Sequence, residues 1–400
     1  MEKEDLPLED VRILSLAHVL AAPYGTMVLA DLGAEVIKIE RPAIGDDSRT
    51  FGPLVDDQSG YFISINRNKK SITLDLKKER GKKIFGELVR KSDVVVENFR
   101  PETMEKLGFG YENLKKIKPD IIYASICGFG HDASPGYENR AGYDIIAQAT
   151  GGIMDITGQP EGPPTRVGSS IGDIFTGLYM AIGILTALRK RERTGKGSRI
   201  DLAMMDSIAS ALENAIVRYT ITGEVPERMG SRHPSIAPFD AFEAKDGWVI
   251  IAVGNDSLWN RFCEATGFEK LLGDSRFETN DNRSNNYNAL KPILTQWTRN
   301  KKVSEIVDLL TEAGVPSSPV NTTAEVVEHP NICHRGMIVE VEQPKIGKVR
   351  ISNTPLRFSL APKGTKIKPA PLLGQHTTEV LTELGYSKRE IEELRKEKII

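Results

Sequence analysis

The first half of the chain alternates short apolar runs with longer stretches of helical spacing. Residues 11–16 and 35–40 are typical of strands, and residues 22–32 between them show a helical period that Gly33 closes. Further strands are predicted at 93–96 and 121–125, alternating with helices at 77–91 and 102–116. This order predicts a parallel sheet covered by helices, which is a Rossmann-like α/β fold.

The pattern changes after residue 200. Residues 201–222 predict one long apolar-faced helix, and residues 223–238 form a polar stretch with three prolines and two glycines, typical of a linker. A strand at 248–253 and helices at 257–266, 289–299 and 303–313 predict a smaller, mainly helical α+β domain. A strand at 347–352 and an amphipathic helix at 377–397 are predicted near the other end.

Asp173 is the strongest candidate for chemistry. It follows a loop of small residues and precedes 15 uncharged residues, 174–188, which predict a helix through a protein core and are too few to span a bilayer. One interpretation is that Asp173 is the N-cap of this helix. The other is a nucleophile, because glycines let a ligand approach, the helix terminus favours an ionised carboxylate, and a buried acid is costly unless used.

Composition narrows the class of protein. A chain of 400 residues exceeds the usual size of one core, so two domains or a large insertion are expected. The 53 basic and 55 acidic residues give a net charge of -2, which argues against nucleic-acid or membrane partners. Cys127, Cys263 and Cys333 lack metal-ligand spacing, so we expect core thiols, no metal site and a reducing compartment. The acidic start has no signal features, and we expect a cytoplasmic protein.

A nicotinamide-dinucleotide site fits poorly. Glu40 lies about twenty residues beyond the first turn, where such sites place an acid for the ribose. However, that turn, residues 17–23, contains no glycine, so its backbone cannot approach a pyrophosphate as a Gly-x-Gly-x-x-Gly loop does.

Five strings in a fixed order carry a family resemblance. They are Val11-Arg12-Ile13-Leu14-Ser15-Leu16, the segment 31–42, Asn66-Arg67-Asn68-Lys69-Lys70-Ser71, Val96-Glu97-Asn98-Phe99 and the Asp173 loop. Together they resemble the class III CoA-transferase family, which also contains formyl-CoA transferase, carnitine CoA-transferase and alpha-methylacyl-CoA racemase. The resemblance covers about residues 11–381. It implies a large domain built from both chain ends, residues 1–222 and 331–400, a small domain at 223–330, and an interlocked homodimer.

The resemblance also implies roles for individual residues. Asp173 would be the nucleophile, and coenzyme A would be a substrate, with no further cofactor. The positions that match CoA contacts of the family are His18, Val19, Arg41, Leu74, Lys77, Asn98, Phe99, Lys106 and Tyr143. Any single basic residue among them can equally be a solvated surface charge.

The acceptor is expected to be a small dicarboxylate. Leu20 replaces a glutamine of formyl-CoA transferase, and residues 229–235 replace its glycine-rich loop, which argues against oxalate. Residues 45–50 and 372–378 resemble the succinyl-CoA-dependent members of the family. Arg49, Arg166 and Arg232 are candidates for holding the distal carboxylate.

The predicted function is CoA transfer from an acyl-CoA, by resemblance succinyl-CoA, to a small carboxylate through anhydride and thioester intermediates on Asp173. One alternative is an acyl-CoA racemase, whose second acid/base is a histidine in an Ala-Gly-His-Asp string. This chain has Tyr143 at that position, and tyrosine is a weak base at neutral pH. A non-catalytic acyl-CoA-binding protein also remains open, because a fold alone does not establish function.

Overall fold

The computed structural model describes residues 6–138, 140–359 and 367–400. Its strands are β1 Arg12–Ser15, β2 Glu35–Glu40, β3 Leu54–Val55, β4 Gln58–Ser59, β5 Lys70–Thr73, β6 Val94–Glu97, β7 Ile122–Cys127, β8 Ser198–Ala203, β9 Phe239–Ala244, β10 Gly247–Ala252, β11 Ser317–Pro319, β12 Ile338–Gln343 and β13 Gly347–Ser352.

The helices are α1 Ala21–Asp31, α2 Gly60–Ile65, α3 Glu79–Arg90, α4 Thr103–Leu107, α5 Tyr111–Ile117, α6 Asp144–Thr150, α7 Ile153–Ile156, α8 Ile171–Thr194, α9 Met204–Ser210, α10 Asn214–Thr222, α11 Asp256–Thr266, α12 Asn280–Asn285, α13 Tyr287–Arg299, α14 Val303–Glu312, α15 Thr323–Glu328, α16 Pro330–His334, α17 Thr377–Glu383 and α18 Lys388–Lys396. Two 3₁₀ helices span Asp47–Thr50 and Glu269–Leu271.

A six-stranded parallel sheet organises the larger part of the chain. Its strand order is β5-β2-β1-β6-β7-β8, so successive strands run outward from β1 on one side and from β6 on the other. This is the strand order of the Rossmann fold, and the predicted α/β fold class is confirmed. The order reverses between β1 and β6, which is where open α/β sheets bind ligands at their carboxyl ends.

Helices cover both faces of this sheet because its strands are apolar on both sides. In β1, Ile13 packs with Leu29 of α1 and Ile184 of α8. Its neighbour Leu14 points to the opposite face and packs in the cluster that contains Phe85 of α3, Val380 of α17 and Leu394 of α18. The last helices of the chain therefore complete a layer that the first half begins.

The long helix α8 packs closely on α1. A side chain at Gly25 would place its Cβ 2.4 Å from the Gly177 carbonyl oxygen, and one at Gly177 would lie 2.5 Å from the Ala21 carbonyl oxygen. Glycine at both positions lets the two backbones meet.

Contacts divide the chain into two compact units. The larger contains the residues up to Ile153, Arg166–Val217 and Cys333–Ile400, and the smaller contains Met154–Thr165 and Arg218–Ile332. In the smaller unit the antiparallel sheet β11-β10-β9 packs on α11, α13 and α14 around buried aromatic residues such as Phe242 and Trp259.

Several element predictions were wrong in ways that local residues explain. The predicted helix 201–222 begins instead as strand β8, which pairs with β7, and then becomes α9 and α10. The predicted helices 102–116 and 377–397 are each split, because Gly108 and Gly385 take left-handed φ values of 88° and 97°. Strands Glu35–Glu40 and Gly347–Ser352 are confirmed at their predicted ends.

The prediction that residues 174–188 form a helix through the core was half right. α8 buries the face that meets α1, but Leu178, Tyr179, Ile182 and Leu185 are 37, 44, 58 and 36% exposed. In the described part of the chain, α8 alone is long and apolar enough to cross a membrane by length and composition. Its packing on α1 is that of a core helix with one open face.

Candidate active site

A cavity of about 920 Å³ lies at the carboxyl ends of β1, β2, β5 and β6. It spans the point where the strand order reverses, as expected for a ligand site in this fold. Five residues predicted to contact CoA line it, namely His18, Arg41, Leu74, Lys77 and Phe99. These come from four separate turns that the sheet brings together.

The charges in this cavity divide into buried pairs and exposed cations. Lys38 is buried and donates to Asp46 at 2.6 Å and to the Ala17 carbonyl at 2.6 Å, and this pairing holds the pKa of Asp46 far below its usual value. Arg41 is exposed and pairs with Asp47. The ammonium of Lys77 is exposed and makes no ion pair within the described residues. Arg41 and Lys77 are therefore exposed cations of this lining, which also contains Lys78 and Lys398.

Asn98 and Val19 shape the first turn without lining the cavity. The Asn98 side chain accepts from the His18 N–H and donates to the His18 carbonyl, both at 2.8 Å. The Val19 N–H donates to Asp46 at 3.1 Å, and Val19 has a left-handed φ of 62°. Burial lowers the pKa of His18, whose ring lies 5.5 Å from that of Phe99. The uncharged form of the His18 imidazole is thus favoured in the lining of the cavity.

Two further residues predicted to contact CoA lie outside the cavity lining. Lys106 is largely exposed and pairs with Glu102 at 3.0 Å. Tyr143 is 69% exposed and forms the N-cap of α6.

Asp173 lies in the first turn of α8, after the N-cap residue Ser170. The N-cap interpretation of Asp173 was therefore wrong. Its side chain is half-buried, and within the described residues no group donates a hydrogen bond to its carboxylate. Burial, followed by the nearby Asp144 carboxylate, raises the pKa of Asp173 to about 7. The helix terminus was expected to favour the ionised acid, whereas burial and the Asp144 carboxylate act in the opposite direction.

Asp144 and Gln148 of α6 hold the loop that leads to Asp173. Asp144 accepts from the Gly172 N–H at 2.9 Å and from the Gln148 amide at 2.8 Å, while Gln148 accepts from the Val167 N–H at 2.9 Å. The Gly172 N–H therefore already has a hydrogen-bond acceptor. The sequence did not predict that α6 holds this loop, although Asp144 directly follows Tyr143 in the string compared with the racemases.

Tyr61 is a partly buried phenol near several carboxylates. Its pKa is raised to about 12 by burial and by the nearby carboxylates of Asp173, Asp144 and Asp46. Of these residues Asp46 lines the cavity, whereas Tyr61 and Asp173 lie outside its lining. A phenol in this state is a neutral hydrogen-bond donor.

The three arginines proposed for a substrate carboxylate have different surroundings. Arg49 donates twice to Glu40 at 2.7 Å and stacks at 3.7 Å from the centre of the Phe62 ring. Arg232, in the smaller unit, donates to the Ser284 carbonyl at 2.7 Å. Arg166 is exposed, donates to the Gly168 carbonyl at 2.9 Å and approaches Asp144 at 4.0 Å. Of the three, Arg166 belongs to the segment that carries Asp173.

A cavity with exposed cations at the switch point of a Rossmann-like sheet is typical of an α/β protein that binds an anionic ligand. The raised pKa of Asp173, which lies outside the lining of this cavity, indicates an enzyme. The chain belongs to CoA-transferase family III, whose model matches residues 8–377, and it is a CoA-transferase.

Known proteins resemble nearly the whole chain. The succinyl-CoA:mesaconate CoA-transferase of Haloarcula hispanica is 44% identical over 94% of this chain and 96% of its own. The human succinyl-CoA:glutarate CoA-transferase is 41% identical over 97% and 88%. The acetyl-CoA:oxalate CoA-transferase of Acetobacter aceti is 45% identical over 88% and 89%. The crystal structure of a CaiB/BaiF family protein from Brucella suis matches with a TM-score of 0.84 and 41% identity, over 95% of this chain and 99% of that chain.

Proposed function

We propose that this enzyme moves CoA from succinyl-CoA to a second small dicarboxylate, with Asp173 as the nucleophile. The observation that carries the proposal is the half-buried carboxylate of Asp173, without a hydrogen-bond donor among the described residues and with a pKa raised to about 7. A poorly solvated, more basic carboxylate is a better nucleophile, provided that it is ionised.

The chemistry requires four acyl transfers and no net redox change. Asp173 attacks the donor thioester, the carbon–sulfur bond breaks, and a mixed anhydride and CoA thiolate form. The thiolate attacks the aspartyl carbonyl, releases the donor acid and leaves an aspartyl-CoA thioester. The acceptor carboxylate opens this thioester to a second anhydride. The thiolate then attacks the acceptor carbonyl, so that the new acyl-CoA leaves and Asp173 is restored.

The neighbours of Asp173 suit these steps. The Tyr61 hydroxyl remains protonated at neutral pH and can donate a hydrogen bond to a negative oxygen near the acid. The loop 167–172 is fixed by Asp144 and Gln148, which limits movement of the nucleophile between steps.

Replacing the nucleophile tests this proposal. Asp173→Asn should lower the rate of transfer by at least about a thousandfold and leave CoA affinity within a few-fold, because only covalent relay is lost. Calorimetry with CoA and a mass assay of the new CoA ester measure the two effects. Asp308→Asn, an exposed carboxylate of the smaller unit, is the matched control. Ordinary transfer by Asp173→Asn would exclude the mechanism.

The choice of dicarboxylates rests on relatives. Two of those compared are named for succinyl-CoA with mesaconate or glutarate, and one for acetyl-CoA with oxalate. The sequence argued against oxalate, but a relative that is 45% identical is named for oxalate, so that argument no longer has support. Oxalate is itself a dicarboxylate. A diacid leaves one charge unreacted, and an unpaired buried charge is costly, so the site needs a cation for it.

We propose that Arg166 supplies this cation. Arg49 already uses its guanidinium on Glu40, whereas Arg166 is exposed on the segment of Asp173. Arg166→Gln should lower kcat/KM for succinate or glutarate about ten- to a hundredfold, and for butyrate little, as expected for loss of a charge-assisted pair. Arg189→Gln, an exposed arginine of α8, is the control. Equal losses with diacids and butyrate would contradict this role.

The racemase alternative is tested by incubating the enzyme with 2-methylacyl-CoA in deuterated water and measuring deuterium incorporation. A racemase removes the proton on the carbon next to the thioester, so 2-methylacyl-CoA would gain deuterium there. We expect none at neutral pH, because Tyr143 occupies the position of the racemase histidine.

A further inference from the structure

A cluster outside the CoA cavity brings a thiol, an imidazole and a carboxylate together. Cys127 ends β7, His131 lies in the following loop, and Asp201 lies in β8, which pairs with β7. The ligand-type atoms of these three residues all lie within 4.8 Å of one another. None of the three lines the cavity.

We propose that Cys127, His131 and Asp201 bind a Zn²⁺ ion through Sγ, Nδ1 and Oδ1. Thiolate, imidazole and carboxylate are the three protein ligand types of zinc, and three of them leave a fourth position for water. The thiolate disfavours magnesium and calcium, which prefer oxygen ligands.

Two of the three distances between ligand atoms are close to those of a zinc site. Tetrahedral zinc with ordinary bond lengths separates a sulfur and a nitrogen ligand by about 3.6 Å, and a nitrogen and an oxygen ligand by about 3.3 Å. Cys127 Sγ lies 3.7 Å from His131 Nδ1, and His131 Nδ1 lies 2.8 Å from Asp201 Oδ1. Opening the second distance by about half an ångström satisfies both, and the Cys127 sulfur and the Asp201 carboxylate, which lie within 4.8 Å of each other, must come to about 3.5 Å.

The surroundings orient the imidazole as a metal ligand. With Nδ1 facing the cluster, His131 Nε2 lies 3.6 Å from Oε1 of the buried Glu97. Glu97 is itself fixed by the Tyr123 hydroxyl at 3.0 Å and the Phe99 N–H at 2.7 Å. A carboxylate behind a histidine is the usual outer partner of zinc ligands, and it sets which ring nitrogen binds the metal.

The backbone also preorganises the cluster. The His131 N–H donates to Asp201 Oδ2 at 3.0 Å, which leaves Oδ1 directed at the imidazole. The Asp201 side chain keeps 24% of its surface exposed, so an ion can enter from solvent. The expectation of no metal site came from cysteine spacing, which cannot reveal donors that neighbouring strands bring together.

Cobalt binding tests the site directly, because Co²⁺ adopts zinc geometry and reports a thiolate ligand by charge-transfer absorption. The untagged full chain, treated with chelator and kept reduced, should bind one Co²⁺ with this absorption, and Zn²⁺ should displace it. Cys127→Ser should abolish the charge-transfer band, and His131→Gln should weaken binding at least about a hundredfold. Glu97→Gln should weaken it about ten- to a hundredfold while keeping the band.

Cys333→Ser is the matched control, because it removes an exposed thiol elsewhere and should leave the band unchanged. Circular dichroism and Tm without metal establish that each variant is folded. Absence of the band in the unaltered protein, or an equal band in Cys127→Ser, would show that the cluster is only a histidine–carboxylate ion pair and would overturn the proposal.

Discussion

At the scale of single residues, two carboxylates control the site. Asp144 accepts a hydrogen bond from the Gly172 N–H and lies near Asp173, so the residue that fixes the loop also raises the pKa of Asp173. The string of small residues before it singled out Asp173 as a candidate. The surroundings of Asp173 could not be predicted, because Asp144 and Tyr61 approach it only through folding, and the loop sequence suggested a charge stabilised by the helix terminus.

The pH dependence of transfer follows from this pair. Asp173 must be ionised to attack, so kcat/KM should rise with pH through about 7 and level off above it. Asp144→Asn keeps an oxygen for the Gly172 N–H but removes the like charge, and should shift this midpoint down by roughly half a unit to one unit. Asp308→Asn serves again as control. An unchanged midpoint in Asp144→Asn would restrict Asp144 to a structural role.

At the scale of elements, the turns after β1, β2, β5 and β6 build the cavity. The βαβ pattern predicted the strands β1 and β2 and the helix between them. It did not predict β5, because Lys70–Thr73 is only four residues long and begins and ends with a polar side chain. Its place in the sheet depends on pairing with Ile37–Glu40 of β2, which a local pattern does not reveal. The resemblance therefore pointed to Leu74 and Lys77, which line the cavity, where periodicity did not.

The two lysines predicted to contact CoA have different surroundings in the structure. Lys77 lines the cavity, whereas Lys106 lies outside its lining and pairs with Glu102. Lys77→Ala should raise the KM for acyl-CoA about three- to tenfold, and the effect should shrink at high salt because a phosphate contact is screened. Lys106→Ala, a change of the same size and charge, should leave KM nearly unchanged. Equal effects of both would contradict the assignment of Lys77.

At the scale of the whole molecule, α8 leaves an apolar face uncovered. Leu178, Tyr179, Ile182 and Leu185 are exposed along one helix, beside exposed Ile145 and Ile146 of α6. Exposed apolar patches of this kind mark interaction surfaces. The family resemblance implied an interlocked homodimer, and we propose that a second copy of the chain covers this face. Periodicity predicted the helix, but the uncharged run could not show which side stays open.

Sedimentation velocity measures the assembly. The protein should sediment at about twice its chain mass of 44.2 kDa, and Ile182→Glu should yield monomer or lower the Tm at micromolar concentration, because a charge would be buried in the interface. Lys190→Glu, on the exposed end of the same helix, should remain dimeric. A monomeric unaltered protein at all concentrations would contradict the proposal.

A covalent bond between CoA and the carboxylate of Asp173 distinguishes the proposed mechanism from direct transfer between substrates. The most direct measurement is peptide mass spectrometry after incubation with succinyl-CoA, followed by hydroxylamine or borohydride trapping. The predicted result is a single modified peptide, altered at Asp173 to the hydroxamate or the reduced alcohol and absent from Asp173→Asn. A chain that turns over substrate with no modification at Asp173, or with the modification on another residue, would contradict the proposed mechanism.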